Sequence, residues 1–303
     1  MSCNKKTEEP AAVPSGKVIF SIQHLVNGVA LRENELIYTN EAGNQYLITD
    51  VKYFISDITF YKHDGSKTLI HQWKDIFYIE EDIPSAKTIQ FYDPVPVGTY
   101  DSINFIFGIS ESKNKSFMFV NPPEVNMAWP EVLGGGYHYM MIDGKWKDTA
   151  GITQPFNFHL GIGQLYHGNT TNTDSIYAFV QNYFTLSLPA SAFTIQDGET
   201  KTFNLQMNIE SWFKTPHIFD FNHWGGAIMQ NQNAMQMVKE NGWDVFSISG
   251  KKHCRLVKVI NDSKREVLSR QWEVCQLILL CQKHQQIEPL YPFPVGREVL
   301  IHG

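Results

Sequence analysis

Cysteine is scarce in this 303-residue chain, and three of its four cysteines (Cys254, Cys275, Cys281) lie beyond residue 250. The first 250 residues hold Cys3 alone, so neither an internal disulfide nor a thiolate zinc cluster can be built there. A β domain of this size outside the cytoplasm has core enough to do without a disulfide. No apolar run is long enough to cross a bilayer as a helix. Charge is sparse, at 18% of residues with a net of −6, which gives nucleic-acid binding little electrostatic support. Catalytic signatures are lacking too: there is no nucleophile elbow, Walker loop, Rossmann fingerprint or metalloprotease helix. Gly134-Gly135-Gly136 leads into a strand, so its amides cannot open a phosphate-binding helix, and Gly161-Ile162-Gly163 lacks the third glycine of a dinucleotide turn. The expectation is a protein that is not an enzyme.

What the chain does have is strand-forming sequence. Hydrophobic residues make up 43%, with 20 Phe, 13 Tyr and 7 Trp, a composition that favours sheet over helix. Alternating segments at 17–26, 35–39, 45–60, 67–79, 88–92, 102–109, 137–146, 156–165, 177–188, 200–209 and 243–248 are separated by turn signals such as Asn27-Gly28 and His63-Asp64-Gly65. Only residues 226–240 (GAIMQNQNAMQMVKE) carry a helical period, stopped by Asn241-Gly242. The expected fold is all-β: an antiparallel β-sandwich of Greek-key type with one short helix near the C-terminal end of the domain.

Three regions are expected. Residues 1–16 pair Ser2-Cys3 with a polar stretch rich in Pro, Glu and Ser, which resembles the mature end of a bacterial lipoprotein. Its cysteine would be acylated and its polar stretch would act as a tether. The expected location is periplasmic or at the cell surface, as a secreted protein held to the membrane, such as the outer membrane, by lipid alone; the competing account is a stray cysteine in an unstructured terminus. Residues 17–248 would be the sandwich. Residues 249–303 are basic, with nine Lys/Arg against five Asp/Glu in 251–303, and lack clear alternation. They read as a foreign or frameshifted extension, the alternative being a small second domain.

The side chains with chemistry to offer are imidazoles and thioethers. Histidines stand at 24, 63, 71, 138, 159, 167, 217 and 223, and methionines at 127, 140, 141, 229, 235 and 237. Those donors suit copper, whereas a hard cation needs clustered carboxylates. His24 shares strand parity with Phe20 and Ile22; His159 shares it with Asn157, opposite Phe156, Phe158 and Leu160; His138 shares it with Met140. Taken singly, each is more commonly an ordinary sheet histidine, and the helix methionines are more commonly packing; the alternative for Trp129 is an ordinary core or loop anchor.

In combination these segments resemble the MbnP-like copper-binding domain family, the group related to MopE. The resemblance spans about residues 16–248. It rests on 20–28 (FSIQHLVNG), 38–46 (YTNEAGNQY), 51–58 (VKYFISDI), 97–108 (VGTYDSINFIFG), 127–144 (MAWPEVLGGGYHYMMIDG), 156–161 (FNFHLG) and 241–246 (NGWDVF), in that order and spacing. It implies a secreted or surface-tethered β-sandwich that binds copper without catalysing a reaction, as carrier, scavenger or store. It also implies a secreted dihaem peroxidase-like enzyme as partner. Characterised relatives ligate copper with two histidines and a kynurenine, an oxidised tryptophan two residues before one of them. Here those positions hold Asn157 and Gly136, and the nearest tryptophan is Trp129. The expected copper site is His24 with His159, His138 as a third ligand, and Met127 or Trp129 nearby. The competing function is a surface-tethered sandwich with a structural or ligand-binding role, such as glycan or protein capture, and no metal.

Overall fold

The computed structural model describes residues 13–168 and 170–249. The chain divides into two units, Met1–His253 and Cys254–Gly303. The second unit, like Cys3, lies outside the described residues, so the expectations for the lipid anchor and for the tail both fall there.

The first unit is a sandwich of two main sheets. Strand β1 (Ser15–Val26) opens it, followed by β2 (Gln45–Tyr61), β3 (Ile76–Glu80), β4 (Ser102–Phe107), β5 (Met140–Lys147), β6 (Thr153–Leu160), β7 (Phe184–Ser187), β8 (Thr200–Asn208) and β9 (Phe246–Ile248). One sheet runs β9–β8–β1. The other runs β6–β5–β2–β4–β7, with β3 also paired to the long β2. Alternation puts Val18, Phe20 and Ile22 of β1 and Phe203, Leu205 and Met207 of β8 into the space between the sheets, all buried. There Phe20 meets Phe91 and Phe203 edge-on, and Phe246 meets Phe105 and Tyr53. Each fully buried aromatic of this kind contributes about 1.5–3 kcal/mol. Close packing also explains Gly144 on β5, where an added Cβ would stand 2.1 Å from the Leu47 carbonyl oxygen, beside a register shift in the β5–β2 ladder.

The sandwich architecture agrees with the sequence expectation, but three of its details differ. Strands β1 and β8 pair in parallel, Lys17 with Thr200 through Leu25 with Asn208. A partner so distant in the chain is not bound by hairpin direction. The helix is also shorter than its period suggests. Helix α1 spans Gln232–Asn241, because the Asn231 side chain caps it at the Ala234 amide. The preceding residues are drawn to the edge of β6 instead, where the Gly226 carbonyl accepts from the Asn157 amide at 2.7 Å. Finally, the expected strand over 177–188 is broken into Ile176–Val180 and Phe184–Ser187, which pair with different neighbours.

Candidate functional site

Before β5 begins, the chain doubles back on itself. Ala128 and Tyr137 form a bridge, and the Gly136 carbonyl accepts from the Trp129 amide at 2.8 Å. Gly134, Gly135 and Gly136 all adopt positive φ, which lets the turn between these segments close so tightly. The turn presents His138, which donates both its backbone amide (2.7 Å) and its ring Nδ1–H (2.9 Å) to the Met127 carbonyl. Trp129 stands against the His138 ring at 4.6 Å between centroids, and its Nε1–H donates to the Leu133 carbonyl at 3.0 Å. The indole also lies flush on Gly161, where a Cβ would approach it to 2.5 Å.

The second imidazole arrives from β6. The β5–β6 hairpin sets Met141 opposite His159 and Asp143 opposite Asn157. His159 Nε2 lies 2.9 Å from Asp143 Oδ1, the same oxygen that accepts from Asn157 Nδ2 at 2.6 Å. The His138 and His159 rings are 5.2 Å apart and perpendicular, at 88°. They are only 6% and 7% exposed, so this is an interior pair. Burial, reinforced by the nearby His159 and only partly offset by the Met127 carbonyl, lowers the His138 pKa to about 4. His138 is therefore a neutral imidazole at neutral pH, with its one ring hydrogen on Nδ1. Burial alone would raise the Asp143 carboxyl, but the hydrogen bond from His159 and its charge when protonated, with Asn157 and Lys52, hold it below the usual carboxylate range.

The sequence-derived constellation is thus partly gathered and partly divided. The structure brings together His138, His159, Trp129 and the carbonyl of Met127. His24 is a correction: it does not stand with His159. Lys52, Met141 and His159 are register partners on one face of the sheet, whereas Tyr53 and Met140 project from the other. His24 belongs to that opposite, inward face, its Nε2 3.0 Å from the Tyr53 hydroxyl and its Nδ1 2.5 Å from Glu81 Oε2. A sheet's thickness separates the two histidines, so they cannot share an ion. His63 pairs with Asp101, His217 with Glu240, and His167 and His223 lie against Tyr177 and Trp224. Among the described residues, no group of three or more His, Cys, Asp and Glu side chains is gathered to hold a metal. The site offers two imidazoles. Bound to one ion through bonds of about 2 Å, two imidazoles have ring centres up to roughly 6.4 Å apart, and the observed separation lies inside that limit. Asp143 was missed by sequence reasoning, since one carboxylate in a strand is unremarkable. Its signal was the Asp148–Gly151 turn, which fixes the hairpin register.

Fold and site together define a β-sandwich carrying a buried pair of histidines where the turn before β5 meets β6. The MbnP family model matches residues 15–235, and the chain belongs to the MbnP family. Among solved structures it is similar to MbnP from Methylosinus trichosporium, at 15% identity and a TM-score of 0.44, covering 67% of this chain and 78% of that one. No curated protein matches the sequence.

Proposed function

We propose that the protein binds copper without catalysing a reaction, as a carrier, scavenger or store, and that His138 and His159 hold the ion. The observation that supports this most is the perpendicular imidazole pair, in which each ring gives one nitrogen to an acceptor and, when neutral, offers a lone pair on the other. Nitrogen donors without a gathering of carboxylates suit a borderline or soft ion, whereas calcium and magnesium take oxygen ligands and structural zinc takes four donors. The identity of the metal comes from the sequence resemblance; the residues come from the geometry. A partner resembling a secreted dihaem peroxidase belongs to the same proposal on the same ground. A location outside the cytoplasm, with lipid on Cys3, rests on the Ser2-Cys3 motif and the polar stretch after it. Among the described residues no helix is long and apolar enough to cross a membrane. The function is tested by loading purified protein with an equimolar mixture of copper and zinc, desalting, and measuring both metals. One copper per chain with little zinc is expected; no retained copper would overturn the proposal.

A further inference from the structure

The partners of the two buried histidines can only accept hydrogen bonds, which fixes an opposite tautomer for each ring in its neutral form. The Met127 carbonyl has no proton to give, so the bond to His138 requires hydrogen on Nδ1, leaving the Nε2 lone pair free. An ionised carboxylate likewise only accepts, so the bond from His159 to Asp143 requires hydrogen on Nε2, leaving the Nδ1 lone pair free in the neutral ring. Asp143 is itself braced: the amide of Asn157, its register partner on β6, donates to the same oxygen. Lys52, on the neighbouring strand, adds positive charge and is anchored in turn by Asp50 at 2.5 Å.

From this geometry we infer that Asp143, braced by Asn157, is the positioning residue of the site: it locks His159 as its Nε2–H tautomer, so that His159 ligates through Nδ1 while His138 ligates through Nε2. This rests on the copper-binding function proposed above. A carboxylate on the far nitrogen orients the ring and raises its basicity at the ligating nitrogen. In a site with only two imidazoles, each ring carries a large share of the binding. Losing the lock lets His159 sample the other tautomer and rotate. The cost expected for removing such a partner is about 10–100-fold in metal affinity.

The test uses the full chain with 15N-labelled histidine, in wild type, Asp143→Ala and Asp143→Asn, with circular dichroism to check the fold. Without metal, the ring nitrogen shifts should show His159 as the Nε2–H tautomer in wild type. It should become a mixture in Asp143→Ala while His138 keeps its Nδ1–H form. Asp143→Asn retains a carbonyl that can accept from Nε2–H, so it should restore most of the tautomer and supplies the readout if the alanine variant fails to fold. Anaerobic Cu(I), which is diamagnetic, should then move the His159 Nδ1 and His138 Nε2 resonances. Its affinity in a chelator competition should fall about 10–100-fold in Asp143→Ala. Unchanged affinity or tautomer in that variant, or a copper shift at His159 Nε2, overturns the positioning role and leaves the copper function standing. Wild type that takes up no Cu(I) overturns the copper function, and the ligand assignment with it.

Discussion

At the scale of single residues, burial and face decide what each ionisable group does. His24 and His159 differ by face alone. The parity of His24 with Phe20 and Ile22, and of His159 against Phe156 and Phe158, already separated an inward histidine from an outward one. Period two tells the face of a side chain and not its neighbours, so the expected His24–His159 pair failed at the step that needed neighbours. In the structure His24 joins β1 to Tyr53 of the opposite sheet and to Glu81, a buried polar pin. His24→Ala should therefore leave copper content unchanged and cost about 1–3 kcal/mol in urea unfolding, because Tyr53 and Glu81 lose a partner. Reduced copper with unchanged stability would refute that assignment. Glu33 gives a pH test. Burial first, then the charge and hydrogen bond of Asp82, with Glu81 and Asp50 adding, raise its pKa to about 7. A folded-state pKa above the unfolded value of about 4.3 means that its stabilising contribution is complete below that value and is lost as pH rises through about 7. Glu33 is only partly buried and solvent screens it, so the effect is on the order of 1 kcal/mol. Relative to wild type, Glu33→Gln should gain about that much between pH ~5 and pH ~8; a constant difference across that range would contradict the assignment.

Among the elements, short-range pairings were legible and long-range ones were not. The β5–β6 hairpin follows from its own alternation and the Asp148–Gly151 turn, and it delivers Asp143 to His159. The parallel pairing of β1 with β8 has no local signal, because nothing in residues 17–25 names residues 200–208 as partner. Helix α1 shows the same limit. Its period extends to residue 226, but the backbone bond from Asn157 to Gly226 takes the first turn away to β6. What docks the helix is also non-local. Buried Asn182 donates to the Gly161 carbonyl at 2.9 Å and exchanges side-chain hydrogen bonds with Gln232 at the helix start, 3.0 Å each way. Gly161 carries the Trp129 ring, so this amide pair braces the wall of the histidine site from behind. Asn182→Ala should destabilise the fold by about 1–3 kcal/mol by leaving buried groups unpaired. It should also speed amide exchange in residues 232–241; protection equal to wild type there would count against the bracing role.

On the scale of the molecule, every described strand and helix closes within Ser15–Ile248, and the family match lies inside those bounds. A chain ending at Ser249 is expected to unfold cooperatively with the midpoint of the full-length protein, and loss of cooperative unfolding would show that residues 250–303 are needed. The family was legible in the sequence because its blocks fall in a fixed order. The site was legible only in its members, since His138, His159, Trp129 and Met127 are named by residue type but assembled by the turn at 129–138 and the hairpin register. The central claim is that His138 and His159 together hold one copper ion. The measurement that bears on it most directly is copper per folded chain after loading and desalting, in wild type, in the His138→Ala/His159→Ala double variant and in His24→Ala. The proposal predicts one copper, none and one, with the circular dichroism of the double variant unchanged. Copper retained by the double variant at the wild-type level would contradict it.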